Sequence, residues 1–372
     1  MAMVGAGQLA RMTHQASIAL GVCVRVLAAD GDDAAVRAGA AHVTGSAGDL
    51  GDLRALAAGA DVLTFDHEHV PPDVLAALAV DGVAMAPAPA AKRFAQDKLH
   101  ARRELAARGF PVPPFMPARV QQDACDFAAV HGWPLVAKAP RGGYDGRGVF
   151  PLAEPDAAGR ALQDHPDGLL LEPQLAIDRE LAVLIARSAS GERAAYPVVE
   201  TVQRDAMCRE ILAPAPVEPG LAARARDLAL ALAADIDATG VLAVELFSAH
   251  DGELLINELA LRPHNSGHYT IEGCATSQFE QHLRAVLGWP LGPSALLAPA
   301  VATVNVVGPV DGSDPAARLA DALAVPGAHV HLYGKAPRPG RKLGHVTVCG
   351  EDLDAAREAA RLAVARLEGA RR

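Results

Sequence analysis

The chain has 372 residues, more than one hydrophobic core usually organises, so two or three domains are expected. Its net charge of −10 argues against nonspecific binding to nucleic acid or to an anionic membrane surface, and its composition is typical of a soluble protein. No apolar run reaches membrane-spanning length, no signal-peptide pattern opens the chain and the five cysteines are scattered, which together predict a cytoplasmic protein with reduced thiols.

Strand and helix signals alternate through residues 1–92. Apolar runs predict strands at 2–4, 22–27, 42–44, 61–65 and 83–85, and a helix follows the first of them from Gln8 to Leu20. This alternation is typical of a doubly wound parallel sheet. The turn Gly5-Ala-Gly7 opens the helix, where a phosphate could bind, but the third glycine of the dinucleotide motif is replaced by Ala10. Simple strand-to-helix packing is therefore an equal alternative for this turn.

Four polar residues, Asp66-His-Glu-His69, follow the strand that ends at Phe65. Ligands bind at the carboxyl ends of parallel strands, so this position favours contact with a ligand. Four consecutive side chains rarely reach one metal ion, and we expect Glu68 to face a ligand hydroxyl or amine instead. The alternative is a polar cap before Pro71.

A helical stretch from Ala88 to Arg108 is interrupted near Asp97 and carries five basic side chains. They are Lys92, Arg93, Lys98, Arg102 and Arg103. A solvated basic face is the default expectation for most of them. The proline-rich segment 109–114 then forms a rigid turn into the next module.

The central motif of the chain is the glycine-rich stretch from Lys138 to Gly148. Lys138 ends an apolar strand, and glycines in the loop allow backbone N–H groups to approach phosphate oxygens closely. The stretch is not a Walker A loop, because no Gly-Lys-Ser/Thr ends it, and a solvent-exposed basic hairpin is the alternative. Helices at 121–131 and 154–163 and a strand at 169–171 complete a small mobile lid.

Two carboxylates lie inside apolar strands of the mostly antiparallel region that follows residue 174. Glu245 lies within Val-Leu-Ala-Val-Glu-Leu-Phe, and Glu258 follows Leu-Leu-Ile-Asn. Burial of such acids is costly unless a cation meets them, and a pair suits magnesium. Because Asn257 precedes Glu258, a bend or strand end is implied if both face one site. Solvent-facing edge acids are the alternative.

Two polar segments follow these strands. Arg262-Pro-His-Asn-Ser-Gly-His268 concentrates donors, of which Arg262 could stabilise developing negative charge, while no nucleophile elbow surrounds Ser266. Lys335 to Lys342 holds four basic residues in eight positions, which favours an anion site over a plain charged turn.

Four stretches together resemble one family. They are Gly5–Met12, Gly142–Gly148, Asn257–His268 and Arg338–His345. They are similar to the ATP-grasp enzymes that make 5-(carboxyamino)imidazole ribonucleotide in purine biosynthesis, and the resemblance runs nearly end to end. It implies an α/β fold, α+β in part. The parts would be an N-terminal doubly wound domain (1–92), a mobile lid subdomain (93–173) and a mostly antiparallel C-terminal domain (174–372).

The resemblance also implies a reaction and a set of site residues. ATP, bicarbonate and 5-aminoimidazole ribonucleotide would give ADP, phosphate and the carboxyamino product through carboxyphosphate, in a homodimer that requires magnesium. The residues implied for ATP are Arg93, Lys138, Gly143, Tyr144, Asp145, Gly146, Arg147, Gly148, Val149, Glu172, Pro173, Gln174, Leu175, Glu180, Gln203, Asn257 and Glu258. Those implied for the ribonucleotide are Glu68, Tyr144, Asp145, Arg147, Lys335, Arg338, Arg341 and Lys342. Glu245 and Glu258 would hold one or two magnesium ions, and Arg262, His264 and Asn265 would position bicarbonate or carboxyphosphate. Gln203 stands where many members carry histidine.

Three other functions are weighed against this one. A different ATP-grasp ligase, of the glycinamide ribonucleotide or biotin carboxylase type, would not explain the 335–342 and 264–268 segments. A Rossmann oxidoreductase that uses Gly5-Ala-Gly7 would leave Glu245, Glu258 and the glycine loop without a role. A nucleotide-binding module without catalysis is disfavoured by the intact acids and Lys138.

Overall fold

The computed structural model describes residues 1–143, 148–250 and 252–369, whose strands form three sheets. The first sheet contains β1 (Ala2–Val4), β2 (Arg25–Ala28), β3 (Ala41–Thr44) and β4 (Leu63–Phe65), with helices α1 (Gln8–Ala19), α2 (Leu50–Ala57) and α3 (Pro72–Val80). Its strands run parallel in the order β3-β2-β1-β4. The predicted parallel sheet is confirmed, although Met85 joins it only by an isolated bridge to Leu63.

Helices α4 (Pro89–Gln96) and α5 (Lys98–Ala107) follow, and the predicted break between them falls at Asp97. The backbone of Asp97 is extended there, and its carboxylate accepts the N–H of His100 and so caps α5. Apolar side chains of both helices, including Phe94 and Leu105, pack into the core of the large sheet described below. We therefore propose that α4 and α5 belong with that sheet, although the lid subdomain was predicted to begin at residue 93.

The second sheet is small and antiparallel. It contains β5 (Met116–Ala118), β6 (Leu135–Lys138), β7 (Val149–Leu152) and β8 (Leu169–Pro173), covered by α6 (Gln121–His131) and α7 (Pro155–Asp164). The strand order is β5-β8-β6-β7, and the sheet has a hydrophobic cluster of its own. The glycine loop connects β6 to β7, and its residues 144–147 lie outside the described ranges.

The third sheet has nine strands within the described residues and is antiparallel throughout. Its strands are β9 (Ile177–Arg187), β10 (Arg193–Ala195), β11 (Val199–Arg204), β12 (Met207–Ala213), β13 (Gly240–Ala249), β14 (Leu254–Ala260), β15 (Ala300–Val307), β16 (Ala328–Leu332) and β17 (Lys342–Gly350). The helices of this region are α8 (Pro219–Asp235), α9 (Thr270–Gly273), α10 (Gln278–Val286), α11 (Leu319–Leu323) and α12 (Leu353–Glu368). The strand order is β14-β13-β9-β11-β12-β15-β17-β16, with β10 beside β9. The predicted mostly antiparallel C-terminal architecture is confirmed, and pairing of β12 with β15 makes it one continuous sheet.

Helix α10 ties the parallel sheet to the large sheet through His282. Nδ1 of its ring accepts the N–H of Val241 on β13 at 3.1 Å. The remaining proton is therefore on Nε2, which lies 2.8 Å from the hydroxyl of Thr64 on β4. The side chain is fully buried, and burial lowers the pKa of His282 to about 3. In the described part of the chain, every helix is too short or too polar to cross a membrane.

This buried histidine predicts a pH dependence of stability. Below the ordinary pKa of 6.5 the unfolded chain binds a proton at His282, whereas the folded chain does not until about pH 3. The free energy of unfolding should therefore fall as the pH drops through this window, by about 1.4 kcal/mol per pH unit from this residue. Urea unfolding of wild type and His282→Gln at a series of pH values should show a slope that is smaller in the variant by about this amount.

The control for this prediction is Thr64→Val, which removes the hydroxyl partner but leaves the imidazole in place. It should lower stability at every pH and keep the wild-type slope. Equal slopes for wild type and His282→Gln would contradict the prediction.

Candidate active site

A cavity of about 1470 Å³ lies where the three sheets meet, and residues of each sheet form its walls. The predicted site residues that line it are Glu68, Arg93, Lys138, Gly143, Val149, Glu172, Pro173, Gln174, Leu175, Glu180, Gln203, Glu245, Asn257, Glu258, Arg262, His264, Asn265 and Lys342. Four predicted residues are described but lie outside this lining, namely Gly148, Lys335, Arg338 and Arg341. The predictions for Tyr144, Asp145, Gly146 and Arg147 concern residues outside the described ranges. Residues that span 275 positions of the sequence, from Glu68 to Lys342, thus line one cavity.

A buried ion network places Lys138 at the cavity. Its ammonium lies 2.6 Å from Oε2 of Glu172 and donates to Oδ1 of Asn257 at 3.0 Å. Oε1 of Glu172 accepts from Arg102 at 2.6 Å, and Arg102 also donates to the main-chain oxygen of Asn257 at 2.7 Å. Both carboxylate oxygens of Glu172 are therefore used inside the protein. Lys138 has three N–H donors and uses two of them in this network.

A β-bulge brings Asn257 and Glu258 to the same side of β14. Glu258 pairs with Glu245 of β13, but the next pair is Ile256 with Leu246, so Asn257 is the extra residue. The bend that the sequence implied is thus observed. Burial and the neighbouring acids Glu258 and Glu180 raise the pKa of Glu245 to about 8. Two carboxylates face one another here at an electrostatic cost that a cation would relieve.

The donor set at this pair fits a hard divalent cation. The carboxylates of Glu245 and Glu258 are the oxygen ligands that magnesium prefers, and magnesium fills its remaining positions with water and phosphate oxygens. Among the described residues, His, Cys, Asp and Glu form no group of three or more that could hold a metal ion by themselves. The pair therefore suits an ion that arrives with a nucleotide rather than one held by the protein alone.

Two cations of α4 and α5 that the sequence assigned to a solvated face are buried instead. Lys92 and Arg102 are each 2% exposed, so the default expectation was wrong for them. Lys92 donates to the main-chain oxygen of His67 at 2.8 Å and lies over the ring of Phe65, and burial lowers its pKa to about 8. Lys98 also points inward, lines the cavity and forms an ion pair with Glu258. Each basic side chain lies beside a main-chain oxygen or acid from another element, which sequence spacing does not reveal.

One end of the cavity is suited to a base and a ribose. Val136 of β6, Phe247 of β13 and the segment 172–175 contribute walls there. Glu180 on β9 is hydrogen-bonded by the side chain of Gln203, and its pKa is raised because burial disfavours the carboxylate. Gln203 lines the same space, so the position where histidine was expected keeps a donor.

Glu68 and Arg262, predicted for different ligands, form one ion pair. Nε of Arg262 donates to the two oxygens of Glu68 at 2.8 and 3.1 Å, and Nη1 donates to the main-chain oxygen of Pro263 at 3.1 Å. The positive charges of Arg262 and Lys92 outweigh burial and hold the pKa of Glu68 below its usual range. The guanidinium that was expected to hold bicarbonate is thus oriented by the acid that was expected to hold the ribonucleotide.

The segment from His264 to His268 forms a short 3₁₀ turn at residues 265–267. Nδ1 of His264 accepts the N–H of Ser266 at 3.3 Å, so the neutral ring carries its proton on Nε2, 3.4 Å from Oε1 of Glu245. Burial, with help from Arg262, lowers the pKa of His264 to about 3. Asn265 lines the cavity, and its buried amide nitrogen is a donor without an acceptor among the described residues.

The predicted basic segment packs beside the cavity. Lys342 lines it, while Lys335 lies over the ring of Tyr333 with its ammonium 5.6 Å from the ring centroid. Gly308 at the end of β15 holds the segment, because it bonds the main chain of residues 340 and 341 and a side chain there would collide with Arg338. The roles predicted for Lys335, Arg338 and Arg341 stay predictions.

The turn Gly5-Ala-Gly7 holds a protein carboxylate. The N–H of Gly7 donates to Oδ2 of Asp66 at 2.9 Å, and a side chain at Gly5, whose φ is +101°, would collide with the same carboxylate. The positive end of α1 is therefore already neutralised in part. Of the two interpretations of this turn, packing between strand and helix is favoured over phosphate binding.

Three family models match consecutive parts of the chain. The ribonucleotide synthetase preATP-grasp domain matches residues 1–96, the ATP-grasp domain matches residues 103–279, and the phosphoribosylaminoimidazole carboxylase C-terminal domain matches residues 302–359. Together they cover strands of all three sheets and most of the cavity lining.

Individual relatives agree with these models. The N5-carboxyaminoimidazole ribonucleotide synthase of Mycobacterium tuberculosis is 52% identical, over 98% of this chain and 86% of its own. The synthetase structure from Thermus thermophilus is 38% identical with a TM-score of 0.89, over 99% of this chain and 98% of its own. The Aspergillus clavatus synthase, in complex with ADP and 5-aminoimidazole ribonucleotide, is 34% identical with a TM-score of 0.89 over the same shares. The chain belongs to the N5-carboxyaminoimidazole ribonucleotide synthase family of ATP-grasp ligases.

Proposed function

We propose that this chain uses ATP and bicarbonate to carboxylate the exocyclic amine of 5-aminoimidazole ribonucleotide, with carboxyphosphate as intermediate, and releases ADP and phosphate. The observation that carries the proposal is a single cavity that joins the Lys138 and Glu245–Glu258 groups to the Glu68–Arg262 pair and Lys342. The first set suits phosphoryl transfer, and the second suits small anions and a phosphorylated substrate. The named relatives and the Aspergillus complex support the same substrates.

The nucleotide would enter beside the small sheet. Its base fits against Val136 and the 172–175 segment, with Glu180 and Gln203 at the ribose. Lys138 and Lys98 would meet the phosphates, because both side chains line the cavity and each ammonium has an N–H donor beyond those that hold it in the protein. Magnesium held between Glu245 and Glu258 would offset charge on the phosphoryl oxygens. Glu172 would act on ATP indirectly, by orienting Lys138.

Bicarbonate would bind at the turn 264–268. Arg262, oriented by Glu68, offers a planar guanidinium that matches a carboxylate group, and Asn265, close to it in sequence, also lines the cavity. A neutral His264 adds a hydrogen bond without competing for the proton of bicarbonate. These residues would hold the bicarbonate oxygen that attacks the γ-phosphoryl group, and they would then retain carboxyphosphate until the amine reacts.

The ribonucleotide would bind between Glu68, which follows β4 of the parallel sheet, and the basic segment at the start of β17. Lys342 and the neighbouring Lys335, Arg338 and Arg341 supply positive charge for its phosphate, and Glu68 lies near enough to Arg262 to link both small substrates. Closure of the small sheet would exclude water, which destroys carboxyphosphate. A cytoplasmic location, supported by five cysteines that form no disulfide, and a homodimer, by family analogy, complete the proposal.

The first prediction tests the substrates. ADP release from ATP and magnesium should rise sharply only when 5-aminoimidazole ribonucleotide and bicarbonate are present together, because the intermediate is consumed only by the amine. A coupled assay in degassed buffer, with each substrate omitted in turn, measures this. A rate of ATP turnover that does not change with either addition would indicate an ATP-grasp ligase with a different substrate.

The second prediction tests the carboxylate pair. Glu258→Gln keeps the shape of the side chain but removes the charge that would hold magnesium, so turnover should fall by about a hundredfold or more. The magnesium concentration for half-maximal rate should rise, while the urea unfolding midpoint should stay close to wild type. A normal rate with normal magnesium dependence would contradict the role of Glu258.

The third prediction compares two cations. Lys98→Met removes an ammonium that contacts Glu258, so kcat/KM for ATP should fall by roughly tenfold to a hundredfold, the effect of one charge-assisted hydrogen bond. Arg93→Met is the matched change at the exposed residue that sequence reasoning assigned to ATP. Its loss should be smaller, and a greater loss for Arg93→Met than for Lys98→Met would favour the sequence assignment.

A further inference from the structure

Gln278 is a fully buried glutamine with no place in the substrate cavity. It is the first residue of α10, it is 0% exposed, and it does not belong to the cavity lining. Its backbone N–H donates to the hydroxyl of Thr270 at 2.9 Å, and this hydroxyl donates to the main-chain oxygen of Gly267 at 2.6 Å. The start of α10 is thus tied to the segment that carries His264 and Asn265.

The side chain of Gln278 holds both main-chain groups of His264. The N–H of His264 donates to Oε1 at 2.8 Å, and Nε2 donates to the main-chain oxygen of His264 at 2.8 Å. Because a main-chain N–H can only donate, these contacts fix which end of the amide is oxygen and which is nitrogen. A strand partner would make the same two bonds, so the side chain substitutes for a strand next to a turn that has none.

The amide orientation also fixes the tautomer of His268. The second N–H of Nε2 points to Nδ1 of His268 at 3.2 Å, so this nitrogen accepts and the neutral ring carries its proton on Nε2. His268 is fully buried, lines the cavity, and stacks on His345 with the ring centroids 4.8 Å apart. His345 is itself 2.9 Å from the hydroxyl of Tyr333. A ring enclosed in this way cannot turn over without breaking the contact with Gln278.

Close packing at Gly267 supports a specific contact between the turn and the side chain of Gln278. A side chain at position 267 would collide with Oε1 of Gln278 and with Leu184 of β9. Glycine therefore allows the turn to approach the amide at hydrogen-bonding distance. The alternative is that Gln278 only fills a polar gap, as Gln281 does one turn later.

We propose that Gln278 is a positioning residue for the bicarbonate step: it fixes the main chain at His264 and holds His268 as the tautomer with its proton on Nε2. The catalytic part of this inference rests on the function proposed above, whereas the tautomer part does not. Displacement of the turn by about 1 Å would misplace Asn265 and His264 relative to bicarbonate, and misplacement of this size can lower the rate of a reaction between two bound reactants by about a hundredfold.

Gln281 provides the matched control. It lies on the same helix, it is also 0% exposed, and it bonds the two main-chain groups of Gly292 at 2.8 and 2.7 Å. Gln278→Glu and Gln281→Glu therefore remove the same amide donor from the same kind of contact. They differ in what the contact holds, which is the turn at His264 in one case and a segment away from the cavity lining in the other.

The experiment combines kinetics with ¹⁵N NMR of histidine-labelled protein, in which the His268 signal is identified by its loss in His268→Gln. In wild type, Nδ1 of His268 should resonate as an unprotonated nitrogen and Nε2 as a protonated one. In Gln278→Glu this pattern should change, because a carboxylate faces Nδ1. We expect kcat/KM for bicarbonate to fall by roughly tenfold to a hundredfold, with KM for ATP within about twofold of wild type. Gln281→Glu should lose stability and change neither readout.

Three results would overturn the proposal. One is a wild-type signal with the proton on Nδ1 of His268, which can be read even if Gln278→Glu does not fold. Another is an unchanged His268 pattern in Gln278→Glu, and the third is an equal loss of bicarbonate efficiency in Gln281→Glu. If wild-type turnover does not depend on bicarbonate, the proposed function is wrong. The NMR comparison still tests whether Gln278 sets the tautomer of His268.

Discussion

The arrangement of the cavity depends on one buried carboxylate, Glu172, which lies between Arg102 and Lys138. An ionised acid that is 2% exposed is stable only when both of its oxygens are paired, and here each oxygen has a cation at 2.6 Å. The partners come from α5 and from β6, and Arg102 continues to the main chain of Asn257 on β14. One network therefore joins the small sheet to the large one. The network fixes the positions of these groups more than it adds net stability, because the cost of desolvating the three charges cancels much of their attraction.

The bulge at Asn257 gives this network a second use. In a regular strand, Asn257 and Glu258 would point to opposite faces. The extra residue turns both toward the cavity, so that Asn257 accepts from Lys138 while Glu258 faces Glu245. Asn257, which accepts from the lysine, and Glu258, which would hold magnesium, are therefore neighbours in sequence and share one distortion. A change that straightened β14 would move Asn257 away from Lys138, or Glu258 away from Glu245.

Local sequence patterns predicted the sheets and part of the cavity, the family resemblance supplied most of the other lining residues, and the patterns failed where the partner of a side chain was distant. Apolar alternation located the strands that carry Lys138, Glu245 and Glu258, and the conflict between adjacent polar residues correctly indicated the bend at Asn257. Helical spacing could not show that Lys92 and Arg102 are buried, because their partners are an acid and carbonyl oxygens on other elements. In the same way, Gly5-Ala-Gly7 matches a phosphate turn locally, but its anion is a carboxylate 59 positions away.

Helix α10 shows which signal sequence reasoning left unused. Positions 278, 281, 282 and 285 share one helical face and all are buried, yet three of them are Gln278, Gln281 and His282. Polar side chains at core spacing must find buried partners, and unpaired main-chain groups are the most abundant ones available. The turn at His264, the segment at Gly292 and the start of β13 each lack a neighbouring strand on one side, and each is bonded by one of these side chains. Polar residues at core spacing therefore indicate that main-chain groups without a strand partner lie against the helix, and in this fold these groups include those of the turn that would hold bicarbonate.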